Sequence, residues 1–226
     1  MSIDKVIETL RPAVERIQAQ CAVKQGKLIA VIKRQPHSTI LAAYHLGLRD
    51  FAHSYVQEAI DCRTALGHLM PDARWHFIGR IQSNKTRHLV EDWFRIHSVD
   101  RLKTARRLGK ASILIQVRLG GEHSKAGVEP AELEGLIDQI RTQTEVNVKG
   151  LMALPPPRDS WGEADYFAEL ATWRDRLMTQ GYLQTDGGEL SMGTSGDYLD
   201  ALAHGANWVR VGTALLGERL GPMVSH

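Results

Sequence analysis

The sequence predicts a single (β/α)8 barrel preceded by an extra N-terminal helix. Eight short apolar runs recur along the 226 residues, and helical stretches separate them. Several runs are apolar throughout, as expected when parallel strands are covered on both faces. Eight such units leave little chain for a second domain, so one domain is predicted over residues 1–226.

The first element is an amphipathic helix within residues 1–25, which we expect to pack on the barrel. Its apolar positions fall on one helical stripe: Ile3, Val6, Ile7, Leu10, Val14 and Ile17.

The predicted strands cover residues 28–33, 50–52, 75–78, 94–98, 112–119, 148–154, 189–192 and 208–211. Helix starts are marked by polar residues after three of these strands: His37–Ser38 behind Pro36, Ser83–Asn84 behind Gly79, and Asp100. The proline-rich segment 154–159 predicts a stiff loop at the barrel mouth. An open doubly wound sheet is the alternative fold, and the lack of G-x-G-x-x-G after the first strand disfavours it.

Composition narrows the function classes. Hydrophobic residues make up 43% of the chain, charged residues 24%, and the formal net charge is +2. Because this charge is small and no basic run occurs, we expect neither a nucleic-acid partner nor a membrane surface. Residues 1–10 lack a signal-peptide pattern and no apolar segment reaches membrane-spanning length, which favours a cytoplasmic protein. We expect a monomer.

Cysteines and histidines give no metal site. Cys21 and Cys62 stand in helix-like sequence, which predicts inert thiols in a reducing compartment. Five histidines that could bind a metal show no helical zinc-ligand spacing, and we expect His97 to satisfy its ring nitrogens locally. They are His53, His76, His88, His97 and His123.

Lys33 is the sharpest candidate for chemistry. Strand alternation places Ile29, Val31 and Lys33 on one face, predicted to be the barrel interior. An amine that loses hydration there has a lowered pKa and can attack a carbonyl. The alternative, equally open from position alone, is a lysine that extends to water from the barrel rim.

The eighth strand runs directly into a Gly-Thr turn, which predicts a phosphate site. Backbone N–H groups at Gly212 and Thr213 would bind the anion at a helix start, and the Thr213 hydroxyl adds a donor. Arg210 should face inward with Trp208, where a guanidinium needs an acceptor. A structural salt bridge is the alternative role for Arg210.

The loop after the seventh strand should lie beside this turn. It contributes Met192, Gly193, Thr194 and Ser195, of which the last two offer hydroxyl and N–H donors to a phosphate. Ser195 has an alternative role as N-cap of a helix starting near Asp197. A strand-end lysine and a phosphate site on one scaffold suggest a phosphorylated aldehyde held as an imine.

With these motifs in place, the chain resembles the pyridoxal phosphate homeostasis protein family, small barrels related to the N-terminal domain of alanine racemase. The resemblance covers almost the whole chain. The motifs that carry it are AVIK (30–33), YVQE (55–58), WHFIGRIQSNK (75–85), IHSVD (96–100), GEHSKAGV (121–128), GLM (150–152), SMGTS (191–195) and VRVGT (209–213).

The resemblance implies that Lys33 carries pyridoxal 5'-phosphate (PLP) as a Schiff base. It also implies that Ser195, Gly212 and Thr213 bind the phosphate, and that Arg210 lies beside the pyridine nitrogen. One motif departs from the family: Ala52-His53-Ser54 stands where Gly-Glu-Asn is usual. Ser54 therefore replaces a site-lining asparagine with a shorter side chain.

The implied function is a non-enzymatic carrier for intracellular PLP homeostasis, with PLP and apo PLP-dependent enzymes as partners. The alternative is a PLP-dependent racemase or decarboxylase. Racemisation needs an acid/base group on each face, and in related racemases the opposing tyrosine comes from a β domain and a partner subunit. Since the sequence ends at His226, we expect no catalytic residue. A cofactor-free barrel enzyme would need a strand-end carboxylate, for which Glu58 and Asp100 are the nearest candidates.

Overall fold

Eight parallel strands form a closed barrel in chain order, with the first strand paired to the eighth. The computed structural model describes residues 2–82, 85–90, 93–120, 126–184 and 186–218. The predicted fold class is therefore confirmed. The strands are β1 (Lys27–Val31), β2 (Asp50–His53), β3 (Arg74–Phe77), β4 (Arg95–Val99), β5 (Ser112–Val117), β6 (Asn147–Ala153), β7 (Glu189–Ser191) and β8 (Trp208–Val211).

Helices surround this barrel. They are α1 (Ile3–Val23), α2 (His37–His45), α3 (Val56–Leu66), α4 (Leu102–Ala105), α5 (Leu133–Gln143), α6 (Tyr166–Thr179), α7 (Tyr198–Ala203) and α8 (Thr213–Leu216). The predicted N-terminal helix forms as α1, which packs against α2 and α8. Its stripe buries Leu10, Val14, Ile17 and Cys21, as the 3.6-residue period requires.

Predicted and observed strands agree closely, with one difference that bears on the site. β8 matches at both ends, but β1 ends at Val31, so Lys33 lies in the following turn rather than on the strand. The turn places Arg34 at φ 56°, in the left-handed region that strand geometry excludes. The lysine is therefore presented by a turn that closes β1.

Two of the three predicted helix starts are correct in place but wrong in mechanism. α2 begins at His37 behind Pro36, and no side chain caps it. Asp100 precedes α4 but pairs with Arg101, at 3.0 Å between Oδ1 and Nε. The predicted start at residues 83–84 lies outside the described residues.

Both cysteines are buried and unpaired, as the sequence predicts. Burial raises the pKa of the Cys21 thiol to about 11 and that of Cys62 to about 12, so both are thiols at neutral pH. Among the described residues, no helix combines the length and the apolar character needed to cross a membrane.

Candidate functional site

A cavity of about 370 Å³ opens at the carboxyl ends of the barrel strands. Cavities of this size are typical of small-ligand sites, and this end of the barrel carries the active sites of the fold class. Seven of the nine site residues predicted from the sequence line it: Lys33, Ser54, Thr194, Ser195, Arg210, Gly212 and Thr213. Residues about 180 positions apart in the chain therefore share one wall.

Apolar side chains complete the cavity wall. Val31 ends β1, Ile78 follows β3, Met152 lies in β6 and Leu154 follows that strand. None of these four is among the site residues predicted from the sequence. The inward-facing alternation of β1 and β6 could have identified Val31 and Met152, because Val31 is the last residue of β1 and Met152 the last but one of β6, both on the interior face.

Lys33 reaches the cavity from a turn that is held in place by α3. The backbone N–H of Arg34 donates to Glu58 Oε1 at 2.5 Å. This bond fixes the residue that follows Lys33 in its left-handed conformation. Glu58 therefore supports the lysine turn and does not itself line the cavity, and neither does Asp100. The carboxylate bases considered for a cofactor-free enzyme are thus not at this site.

The turn after β8 directs two backbone N–H groups at one oxygen, and Ala214 supplies the second where Thr213 was predicted. The N–H groups of Gly212 and Ala214 both point to Ser195 Oγ, at 3.2 and 3.4 Å. These long bonds show that two donors converge on one oxygen position, the arrangement that an anion's oxygen needs. Because α8 contains only four residues, its summed helix dipole is small. The individual N–H groups therefore contribute more than that dipole to the attraction of an anion.

The alternative role for Ser195 as a helix cap is wrong. α7 begins at Tyr198 with Asp197 as its N-cap, and Ser195 reaches the opposite turn instead. Asp197 Oδ1 accepts from both the N–H and the hydroxyl of Thr194, at 2.5 and 3.0 Å. The donors of Thr194 are therefore directed to a carboxylate within the same loop.

Arg210 is a buried cation held by neutral acceptors. Its Nη1 donates to Ser191 Oγ at 2.7 Å and its Nη2 to the Ala153 carbonyl at 2.8 Å. Burial lowers the pKa of Arg210 to about 10, so it stays charged at neutral pH, while Asp197 acts to raise this pKa. No carboxylate within the described ranges forms an ion pair with it, which excludes the structural salt bridge there.

Met192 and Gly193 lie behind the lining. The Met192 side chain is fully buried in the core outside the barrel wall. Gly193 has φ 85°, and its carbonyl accepts from the Arg210 N–H at 3.0 Å. A Cβ at Gly193 would lie 2.5 Å from Ala201 Cβ. These two residues shape the loop and position β8.

In the motif Ala52-His53-Ser54 at the end of β2, the last two side chains lie in different environments. Ser54 lines the cavity, and a Cβ at Gly79 would lie 1.8 Å from the Ser54 carbonyl oxygen. His53 points outward instead, is buried, and stacks on Trp75 at 5.6 Å between ring centroids. Among the residues that the structure describes, neither ring nitrogen of His53 has a hydrogen-bond partner.

Within the described residues, no group of three or more histidine, cysteine or carboxylate side chains could hold a metal ion. His97 does satisfy its ring nitrogens inside the barrel, on His76 and Ser191. His123 lies outside the described residues. The site thus offers an amine, a buried cation, converging N–H groups and apolar walls.

Comparison with known proteins gives one consistent family. The model of the alanine racemase N-terminal domain matches residues 7–220. A pyridoxal phosphate homeostasis protein of Pseudomonas aeruginosa is 40% identical over 200 residues, covering 85% of this chain and 84% of the relative. One from Vibrio cholerae is 37% identical over 235 residues, covering 96% and 97%.

A solved structure supports the same grouping. PipY of Synechococcus elongatus, with PLP bound, is 37% identical to this chain. The TM-score is 0.80, and the match covers 91% of this chain and 100% of the other.

Proposed function

Because this chain belongs to the pyridoxal phosphate homeostasis protein family, we propose that it binds PLP at the barrel mouth and holds it covalently through Lys33. One observation carries the proposal: Lys33, Arg210 and the Ser195–Gly212–Thr213 group share one cavity. An amine, a cation and an anion-binding turn each match a different substituent of this cofactor.

The donor set fits the cofactor. The N–H groups of Gly212 and Ala214 already converge on an oxygen, Ser195 Oγ, which shows that they can serve an oxygen acceptor. Val31, Ile78 and Met152 offer apolar walls for a flat ring. When bound, PLP supplies an aldehyde that bonds reversibly to a primary amine.

Each residue has a defined role in this proposal. Lys33 provides the amine, and the Arg34–Glu58 bond orients its turn. Ser195, Gly212 and Thr213 bind the phosphate. Arg210 would face the pyridine nitrogen and disfavour its protonation by like-charge repulsion.

The remaining predicted residues have supporting roles. Ser54 lines the wall, and Thr194 holds its loop through Asp197. Met192 and Gly193 lie behind that wall and support β8.

We further propose that the protein carries PLP and does not turn over amino acids. Among the described lining residues there is no carboxylate, histidine, tyrosine or cysteine. Apart from the guanidinium of Arg210, Lys33 is then the one ionisable side chain of this lining, whereas racemisation needs an acid/base group on each face. In this proposal the protein is a cytoplasmic monomer that buffers PLP and delivers it to apo enzymes.

The decisive experiment is an absorbance spectrum combined with borohydride trapping and peptide mapping. We expect PLP on the peptide that contains Lys33, and loss of the trapped product in Lys33→Ala. Lys27→Ala is the matched control, because Lys27 begins the same strand at its opposite end. Trapping on another lysine, or an unchanged Lys33→Ala spectrum, contradicts the attachment.

The carrier role has its own test. Amino acids incubated with the loaded protein in deuterium oxide should show no α-proton exchange at enzyme-like rates. Enzyme-like exchange would support the racemase alternative, and carbon dioxide release would support the decarboxylase. Size exclusion and cell fractionation test the monomer and the cytoplasmic location.

A further inference from the structure

A line of hydrogen bonds crosses the barrel interior from Arg210 to Asp50. Arg210 Nη1 lies 2.7 Å from Ser191 Oγ, which lies 2.8 Å from His97 Nδ1. His97 Nε2 lies 2.9 Å from His76 Nδ1, and His76 Nε2 lies 3.0 Å from Asp50 Oδ1. All five side chains are buried. We call these residues the interior relay.

The two ends of the interior relay fix the direction of every bond. Asp50 is an anion and accepts, so His76 must carry its proton on Nε2. The Nδ1 of a neutral His76 then accepts from His97 Nε2–H. His97 Nδ1 in turn accepts the Ser191 hydroxyl proton, which leaves the Ser191 oxygen as acceptor for Arg210.

The opposite direction fails at both ends. With its proton on Nδ1, His76 would point a lone pair at the Asp50 carboxylate. A proton on His97 Nδ1 would point at Ser191 Oγ, which already accepts from Arg210. The Ser191 hydroxyl proton would then lack an acceptor, a cost of about 1–3 kcal/mol for a buried group.

Both rings are neutral in this arrangement. Burial lowers the pKa of His76 and, to a greater extent, that of His97. The cations that face them, Arg74, Arg95 and Arg210, act in the same direction, while Asp50 acts to raise the pKa of His76. Two neutral imidazoles with one fixed tautomer each can transmit orientation without carrying charge.

Asp50 is itself held firmly at the amino end of the strands. Its Oδ1 accepts from Arg74 Nε at 2.7 Å and its Oδ2 from Arg74 Nη2 at 2.5 Å. Such paired bonds fix the plane of the carboxylate. Because Asp50 begins β2, it lies at the opposite end of the barrel from the cavity.

We propose that Asp50 is a positioning residue for Arg210, acting through Ser191, His97 and His76. The carboxylate sets the tautomer of both histidines, and this makes the Ser191 oxygen the acceptor that orients the guanidinium. The inference rests on the proposed function, in which Arg210 faces the cofactor. It assigns a role at the cavity to a residue at the far end of the barrel.

The first test needs no cofactor. In ¹⁵N-histidine NMR of the cofactor-free protein, we expect His76 and His97 each to show protonated Nε2 and unprotonated Nδ1. Asp50→Asn should give mixed tautomers, since its amide cannot accept from His76 and both Arg74 nitrogens. Asp72→Asn is the matched control, because it removes another aspartate–arginine pair, with Arg49 at 2.6 Å, outside the relay.

Ser191→Ala removes the link between His97 and Arg210 and leaves Asp50 in place. It provides the test of the relay if Asp50→Asn does not fold. Since Asp50 sets the direction, both tautomers should persist in Ser191→Ala. Mixed tautomers in the unmodified protein or in Ser191→Ala, or unchanged tautomers in a folded Asp50→Asn, would overturn the proposal.

A second readout links the relay to the cavity. PLP affinity should fall roughly threefold to tenfold in Asp50→Asn, the range expected for one lost hydrogen bond, and remain unchanged in Asp72→Asn. Equal affinities in both variants would refute the positioning role. If the tautomers are as expected but the unmodified protein binds no PLP, the proposed function fails and the interior relay stands.

Discussion

Ser195 Oγ lies 3.2 Å from Gly212 N and joins the loop after β7 to the turn after β8. The Ala214 N–H points to the same oxygen from 3.4 Å. A hydroxyl in this position satisfies both donors and offers its own proton as a third donor. The two loops are therefore joined at one hydroxyl oxygen beside the cavity.

Ser195→Ala removes this shared oxygen and the hydroxyl donor. We expect PLP affinity to fall about threefold to tenfold, because one hydrogen bond is worth about 0.5–1.5 kcal/mol. Equilibrium titration monitored by absorbance measures it. Ser160→Ala is the control, since the Ser160 hydroxyl bonds a carbonyl in an exposed turn outside the cavity. Equal affinity in the two variants would contradict a phosphate role for Ser195.

The sequence carries enough to predict the barrel and one side of the site. Each strand is a local apolar run, and the β8 turn contains its donors within a few consecutive residues, so both are visible in the chain. Arg210 could be placed because strand alternation fixes its direction. Lys33, Gly212 and Thr213 could be placed because each closely follows the end of a strand.

Contacts between distant segments could not be predicted in the same way. The bond of His97 to Ser191 joins residues 94 positions apart, and no local pattern encodes that pairing. The turn after Lys33 depends on Glu58, which is 24 positions away from Arg34. The sequence shows Glu58 as a helix-start residue, and its contact with the turn emerges on folding.

Arg34→Gly tests the turn that presents Lys33. A left-handed conformation costs an L-residue about 1–2 kcal/mol, so glycine should raise the free energy of unfolding by up to about 1 kcal/mol after its entropic cost. The looser turn should also weaken PLP binding. Urea denaturation and absorbance titration measure the two effects.

Gln25→Gly is the matched control, because Gln25 has the same φ of 56° at the end of α1. It should give a similar gain in stability and leave PLP affinity unchanged. If Arg34→Gly binds PLP as well as Gln25→Gly does, the turn does not orient the lysine.

Gly79→Ala tests the close approach between the segment after β3 and Ser54. The added Cβ would lie 1.8 Å from a backbone oxygen, so the cavity wall must move. We expect a loss of about 1–3 kcal/mol in the free energy of unfolding, measured by urea denaturation. Gly135→Ala, at an open position in the first turn of α5, should instead gain up to about 1 kcal/mol. If Gly79→Ala and Gly135→Ala changed the free energy of unfolding equally, the cavity wall would be able to move aside for the added Cβ at no cost.

His53→Phe tests the buried ring that has no hydrogen-bond partner within the described part of the chain. Burial lowers the pKa of His53 to about 3, against a usual value near 6.5. Between these values the unfolded chain binds a proton that the folded chain does not, so His53 makes stability fall as pH falls through this window.

Phenylalanine keeps the stacking on Trp75 and removes this proton. The unfolding free energy should rise at neutral pH, because two buried nitrogens no longer lack partners. Between pH 6.5 and pH 3, the free energy of unfolding should decrease less steeply in the variant than in the unmodified protein. The difference in slope should be about 1.4 kcal/mol per pH unit, which corresponds to one bound proton. Urea denaturation across this range measures both. An unchanged slope would mean that His53 is protonated or hydrogen-bonded in the folded protein.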